Sequence, residues 1–253
     1  MSPLYAVRPA HKGHYTKIGS AHIYAEVLGS GPPLVLVHGL GGSTRWWERN
    51  KQILAQHYEV HMVDMAGFGR SKGSFILAGA ADQLADWARL CGLGPINLVG
   101  HSMGGYIAAA MAANYPLQID RLVLVSAALS QPELERGGAQ IQGPPVPLSM
   151  MPVVLEDIAR AGLMVMARVA WELGRADVRE TLAKVQARTL LVWGERDSAV
   201  PLSVARAALK QLHAARLAVI CNAGHAPMWE QPLAFNHTVL SFLKDQPIRS
   251  LVE

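Results

Sequence analysis

Short aliphatic runs alternating with longer stretches of helical spacing constrain this 253-residue chain more than any other feature. Pro33–Val37 (PLVLV) is apolar throughout, as a strand must be when helices cover both faces of its sheet. Comparable runs at Tyr58–Asp64, Ile96–Gly100, Leu122–Ser126, Thr189–Gly194 and Arg216–Ile220 predict further buried strands. Ahead of them, Tyr15–Ile18 and His22–Val27, separated by Gly19-Ser20, predict an antiparallel hairpin. Helical spacing fills the intervals at Trp46–Gln56, Ala80–Leu90, Gly104–Asn114, Leu202–Leu212 and Ala234–Leu243. Pro116 stops the third of these, and Pro201 and Pro232 introduce the last two. The alternation predicts the α/β class, with a mostly parallel, doubly wound sheet.

A chain of this length suits one large domain, and its 51% apolar and 17% charged residues are those of a globular protein with a sizeable core. We therefore read residues 1–253 as a single domain, with residues 127–188 as an insertion that contains no strand pattern. The insertion opens with a Gly/Pro/Gln-rich loop from Gly137 to Pro147 and continues as an apolar helical stretch over Ser149–Leu173. It is expected to form a lid over the carboxyl ends of the strands, where ligands bind in such sheets.

The run Gly100-His101-Ser102-Met103-Gly104 follows a predicted strand and opens a predicted helix. A Gly-x-Ser-x-Gly sharp turn in that context holds its serine in strained geometry, with the hydroxyl free above a helix N-terminus. A serine hydroxyl is a weak nucleophile and needs a base, which in turn needs an orienting group. His225, in Asn222-Ala223-Gly224-His225-Ala226-Pro227, lies just past the final predicted strand and is the candidate base. His57, His213 and His237 fall in helical or exposed contexts, His61 within a strand, and His101 beside the hydroxyl. Asp197, after the strand ending at Gly194, is the candidate orienter; its alternative role is to cap the helix after Pro201. Glu195 reads as a surface or salt-bridging group. His38-Gly39-Leu40-Gly41-Gly42 follows the strand ending at Val37, and its glycines allow backbone N–H groups to turn inward. The amides of Leu40 and Met103 are the candidate oxyanion donors, with His38 bracing the loop.

These features resemble the α/β-hydrolase family, and the resemblance extends from about Tyr15 to Leu243. Asp64-Met65-Ala66-Gly67-Phe68-Gly69-Arg70-Ser71 is similar to the family's Asp-x-x-Gly-x-Gly-x-Ser turn, and Pro227–Pro232 (PMWEQP) to the segment after the family histidine. The resemblance implies a triad of Ser102, Asp197 and His225, in that chain order, and an oxyanion hole at Leu40 and Met103. It speaks against dehalogenases and epoxide hydrolases of this fold, which carry aspartate where this chain has Ser102. The His-Gly-Gly-Gly loop of the hormone-sensitive lipase branch is also missing.

Within Met151–Leu173, apolar residues at 151, 154, 155, 158, 162, 166, 169 and 173 form a helical stripe, while Val153, Met164, Val165 and Trp171 lie off it. The second apolar face is either packing, including a subunit contact, or the lining of an acyl pocket. Candidate substrate-binding residues are Trp46, Met151, Leu155 and Met166, with Trp46 and Trp47 alternatively serving as core anchors. Glu156, Asp157, Arg160 and Arg168 oppose a membrane span. The net charge of +4 is scattered rather than gathered into a basic patch, so nucleic acid is not an expected partner. Cys91 and Cys221 read as buried free thiols. The first residues lack a charged-then-apolar leader pattern, and a cytoplasmic monomer or homodimer without metal or organic cofactor is expected. The expected activity is hydrolysis of a neutral, apolar carboxylic ester through an acyl-enzyme. Carbon–carbon hydrolysis, lactone hydrolysis and a slow-turnover ligand receptor of the same fold are the alternatives.

Overall fold

The computed structural model describes residues 12–129 and 146–248. Eight strands form one sheet: β1 (Lys12–Ile18), β2 (Ala21–Leu28), β3 (Pro33–Val37), β4 (Glu59–Val63), β5 (Ile96–His101), β6 (Ile119–Val125), β7 (Arg188–Gly194) and β8 (Ala215–Ile220). Their order is β1-β2-β4-β3-β5-β6-β7-β8. The hairpin strands β1 and β2 pair antiparallel, as do β2 and β4, and the remaining neighbours pair parallel.

The period of two along each strand divides the core. Val35 and Val37 of β3 enter one buried cluster and Leu34 and Leu36 enter the other; Leu98 and Val99 of β5 divide the same way. On the first face the sheet meets α2 (Ala80–Leu90) and α3 (Met103–Asn114) through Leu84, Trp87, Ile107 and Met111. On the second it meets α1 (Lys51–Leu54) through Leu54. Both faces being covered explains why these strands read as unbroken apolar runs. Truncating a fully buried residue such as Ile107 to alanine is expected to cost about 2–5 kcal/mol.

Between β6 and β7 the described chain forms α4 (Met151–Ala161), α5 (Leu163–Arg175) and α6 (Arg179–Lys184). Beyond β7 come α7 (Leu202–Leu209), then α8 (Pro227–Glu230) and α9 (Pro232–Leu243) after β8. Most of the Gly137–Pro147 loop expectation and the N-terminal leader reading lie outside the described residues. No described helix is long and apolar enough to cross a membrane.

Three expectations need correction. The continuous helix over Ser149–Leu173 is broken at Gly162, whose φ of 84° no residue with a side chain adopts comfortably. The break resets the helical phase. Val154, Asp157 and Ala161 are buried on α4 and Val169 and Leu173 on α5, whereas Leu155, Met164 and Trp171 are exposed. The helix expected over Trp46–Gln56 is a 3-10 turn at Thr44–Trp47 followed by the single turn of α1. Side chains from distant segments hold it in that shape: Asp64 accepts from the Thr44 N–H, and Asn50 donates to the Met228 carbonyl. Cys221 is exposed rather than buried, because it lies in the turn just past β8; Cys91 is half-buried and both are free thiols.

Candidate active site

Ser102 sits between β5 and α3 at φ 52° and ψ −116°, a strained conformation for a residue with a Cβ. The turn is possible because its neighbours are glycines. A Cβ on Gly100 would lie 2.2 Å from the Gly104 carbonyl oxygen, and one on Gly104 would lie 2.4 Å from the Val37 oxygen. The Ser102 amide donates to Val125, tying the turn to the end of β6.

His225 and Asp197 meet Ser102 from separate strand ends. The His225 Nε2 lies 3.1 Å from the Ser102 Oγ. Its Nδ1 lies 3.0 and 3.1 Å from the two oxygens of Asp197. An ionised carboxylate only accepts, so Nδ1 carries the proton and Nε2 is left to accept from the serine hydroxyl. The Asp197 side chain is fully buried and also accepts from the Ala199 and Val200 amides at 3.0 and 2.9 Å. It thus orders the loop before α7 as well as facing the imidazole, and no side chain caps α7 itself. Trp193 donates to the Val200 carbonyl at 2.8 Å and braces the same loop from β7.

Glu230, which the sequence reading did not single out, holds the segment carrying His225. Its carboxylate accepts from the Gly224 amide at 2.9 Å and the Ala226 amide at 3.0 Å, one on each side of the histidine. The available signal was an acid on the short helix inside the PMWEQP segment. Glu195 is exposed and accepts from the Asn222 amide at 3.0 Å, bracing the same loop from outside. His101 is fully buried and donates from Nε2 to the His225 carbonyl at 2.8 Å. Burial holds its pKa well below the usual histidine value, so it is a neutral strut.

Leu40 is half-buried in a turn closed by the Gly42 amide on the Gly39 carbonyl at 3.0 Å. Met103 opens α3, so its N–H has no carbonyl four residues earlier within the helix to bond. His38 backs the turn. Its Nε2 accepts from the Met65 amide at 3.1 Å, so Nδ1 bears the proton and donates to the Gly39 carbonyl at 2.7 Å. Burial lowers its pKa to about 4. Asp64 accepts from the Thr44 and Arg70 amides, and burial raises its pKa to about 6.

Of the candidate pocket residues, Met166 reaches this turn: a Cβ on Gly41 would lie 2.6 Å from the Met166 Cε and 3.1 Å from the Ile158 Cγ1. Trp46 is buried with its ring 5.5 Å from that of His101. Met151 packs instead against the second core cluster, and Leu155, 59% exposed, is not brought to the group. Among the described residues no cluster of histidine, cysteine and carboxylate side chains is arranged to hold a metal ion.

A serine on a strained strand-to-helix turn, joined through histidine to a buried aspartate above a mostly parallel sheet, defines a hydrolase scaffold of the doubly wound class. The chain belongs to the α/β-hydrolase family: a sequence profile of the alpha/beta hydrolase fold matches residues 32–167, and a profile of TAP-like protein matches residues 163–249. It is 29% identical over 258 residues to a 2-hydroxy-6-oxononadienedioate/2-hydroxy-6-oxononatrienedioate hydrolase of Burkholderia vietnamiensis, covering 83% of this chain and 86% of that one. It is 27% identical over 256 residues to a pimeloyl-[acyl-carrier protein] methyl ester esterase of Pectobacterium carotovorum, covering 88% and 98%. The structure of a serine hydrolase involved in carbazole degradation superposes with a TM-score of 0.81 at 26% identity, over 94% of this chain and 100% of that one. The chain is thus an enzyme of the α/β-hydrolase type.

Proposed function

We propose that this enzyme is a serine carboxylesterase acting on neutral, apolar esters through an acyl-enzyme. The hydrogen-bonded row Ser102–His225–Asp197 carries the reading. His225 takes the Ser102 proton as Oγ attacks the ester carbonyl, and the C=O electron pair moves to oxygen. The Leu40 and Met103 amides hold that oxyanion. Collapse expels the alcohol, which His225 protonates, and leaves the acyl group on Ser102. Water, deprotonated by His225, then attacks the acyl carbon, and collapse releases the acid as His225 returns the proton to the Ser102 Oγ. Asp197 fixes the imidazole tautomer and steadies its cationic form. Among the half-buried apolar side chains packed on the first core cluster are Leu40, Val165, Met166 and Val200. They favour an apolar acyl group over a charged one, and α4 and α5 of the insertion serve as the lid above it.

A second reading, cleavage of a carbon–carbon bond with the same residues, is favoured by the activity named for the Burkholderia relative. A panel of p-nitrophenyl esters from acetyl to palmitoyl, run beside a dienoic ring-cleavage product and with Ser102→Ala as control, separates the two. Ester turnover above the variant supports the esterase. Turnover of the dienoate alone supports the second reading, and activity of Ser102→Ala equal to wild type rejects both.

A further inference from the structure

Asp157 lies on α4, inside the insertion, yet it is 1% exposed. One carboxylate oxygen, Oδ2, accepts from the Ser43 hydroxyl at 2.8 Å and the Trp46 indole N–H at 3.2 Å. The other, Oδ1, has no hydrogen-bond partner and lies 3.8 Å from the Arg45 guanidinium. Both Asp157 and Asp64 line a polar cavity of about 190 Å³, with Arg45, Arg70, Glu156 and Arg160 around it. The two bonds to Oδ2 tie α4 to the Ser43–Trp46 segment.

What this carboxylate holds lies on both sides of the reacting serine. Ser43 follows the Gly39–Gly42 turn that presents the Leu40 amide, and Gly41 of that turn packs under Ile158 and Met166 of the insertion. Trp46 packs on His101, whose ring is 4.9 Å from that of His225 and whose Nε2 donates to the His225 carbonyl. A single side chain therefore restrains the oxyanion turn directly and the base loop through two aromatic rings.

We propose that Asp157 is a positioning residue of the hydrolytic reaction, which sets the Leu40 turn and the Trp46–His101–His225 stack from the insertion side. This rests on the esterase reading above. It touches no substrate; its effect falls on the transition state, where the Leu40 amide and His225 must be aligned, rather than on substrate binding.

The test is steady-state kinetics on the best p-nitrophenyl ester, with kcat expressed per active site titrated by a fluorophosphonate. Asp157→Ala is expected to lower kcat about tenfold or more while KM stays within about twofold. Asp157→Asn keeps an acceptor for Ser43 and Trp46 and is expected to recover kcat to within about threefold of wild type. Should Asp157→Ala fail to fold, Ser43→Ala removes the hydroxyl donor to Oδ2 while leaving the indole ring in place, and a fall of about threefold or more in its kcat supports the same role. An unchanged kcat per titrated site in these variants overturns the proposal, as does a change confined to KM. Ser102→Ala run in parallel separates the failures. If it retains full activity the esterase reading fails; if it is dead while the Asp157 variants are intact, only the positioning role fails.

Discussion

Replacing Glu230 with glutamine should loosen the loop that carries His225 without touching the imidazole. The carboxylate accepts from Gly224 and Ala226 at 2.9 and 3.0 Å, flanking the histidine. Glutamine keeps one acceptor oxygen and turns its NH2 toward the other N–H, so one charge-assisted bond is lost and two donors face each other. Glu230 is half-exposed, so the loss is set at the low end of such bonds, about 1.5–2 kcal/mol. For a domain of this size that corresponds to a Tm lower by about 3–8 °C. His225 stands at 3.1 Å from the Ser102 oxygen, so a displacement of about 1 Å breaks that hydrogen bond and should cost kcat about tenfold or more, with KM little changed. Melting by circular dichroism and kinetics per titrated site read the two effects separately. A variant melting within about 1 °C of wild type, with kcat within about twofold, would refute the clamp.

Two further predictions follow from burial. Gly104→Ala places a Cβ 2.4 Å from the Val37 carbonyl oxygen, with backbone on both sides of the contact. It should cost about 3 kcal/mol or more, or yield insoluble protein; a wild-type Tm would contradict the close approach. The second concerns acid stability. His38, held at about 4, and His101, lowered well below its ordinary value by burial, stay neutral in the fold while the unfolded chain binds protons near 6.5. Their stabilisation is present above that value and is lost as pH falls toward 4. Asp64 acts in the opposite sense. Its folded value of about 6 exceeds the ordinary 3.8, so its contribution is present below 3.8 and is lost as pH rises through 6. The wild-type Tm should fall between pH 6.5 and 4, and Asp64→Asn, lacking the opposing contribution, should fall more steeply. Equal slopes would show that Asp64 does not titrate in that window.

The sheet was legible because each parallel strand is buried on both faces and so spells an apolar run, as PLVLV does at β3. Ser102, Asp197 and His225 were legible because each follows a strand, and the parallel sheet gathers strand ends at one edge. The residues that hold them were not. Asp157 looks like a surface charge until its partners arrive from elsewhere in the chain, Ser43 being 114 residues away, and Glu230 looks like one until the turn after β8 folds the Gly224 and Ala226 amides back onto it. A signal did exist for Asp157, which shares the buried side of α4 with Val154 and Ala161 at helical spacing, a charge on an apolar stripe. The turns around Trp46 were illegible for the same reason: Asp64 and Asp157 override local helix spacing. The apolar stripe runs through Gly162 in the sequence, whereas its positive φ ends one helix and sets the phase of the next.

Pre-steady-state mixing with a p-nitrophenyl ester, quenched in acid and followed by peptide mass analysis, tests the acyl-enzyme most directly. Acyl-enzyme chemistry at Ser102 predicts a mass increase equal to the acyl group less the hydrogen it replaces, on the peptide containing Ser102, formed within the first turnover. It should be absent from Ser102→Ala and formed far more slowly in His225→Ala. An adduct on any other residue, or turnover with no adduct while acylation is demonstrably faster than deacylation, would contradict it.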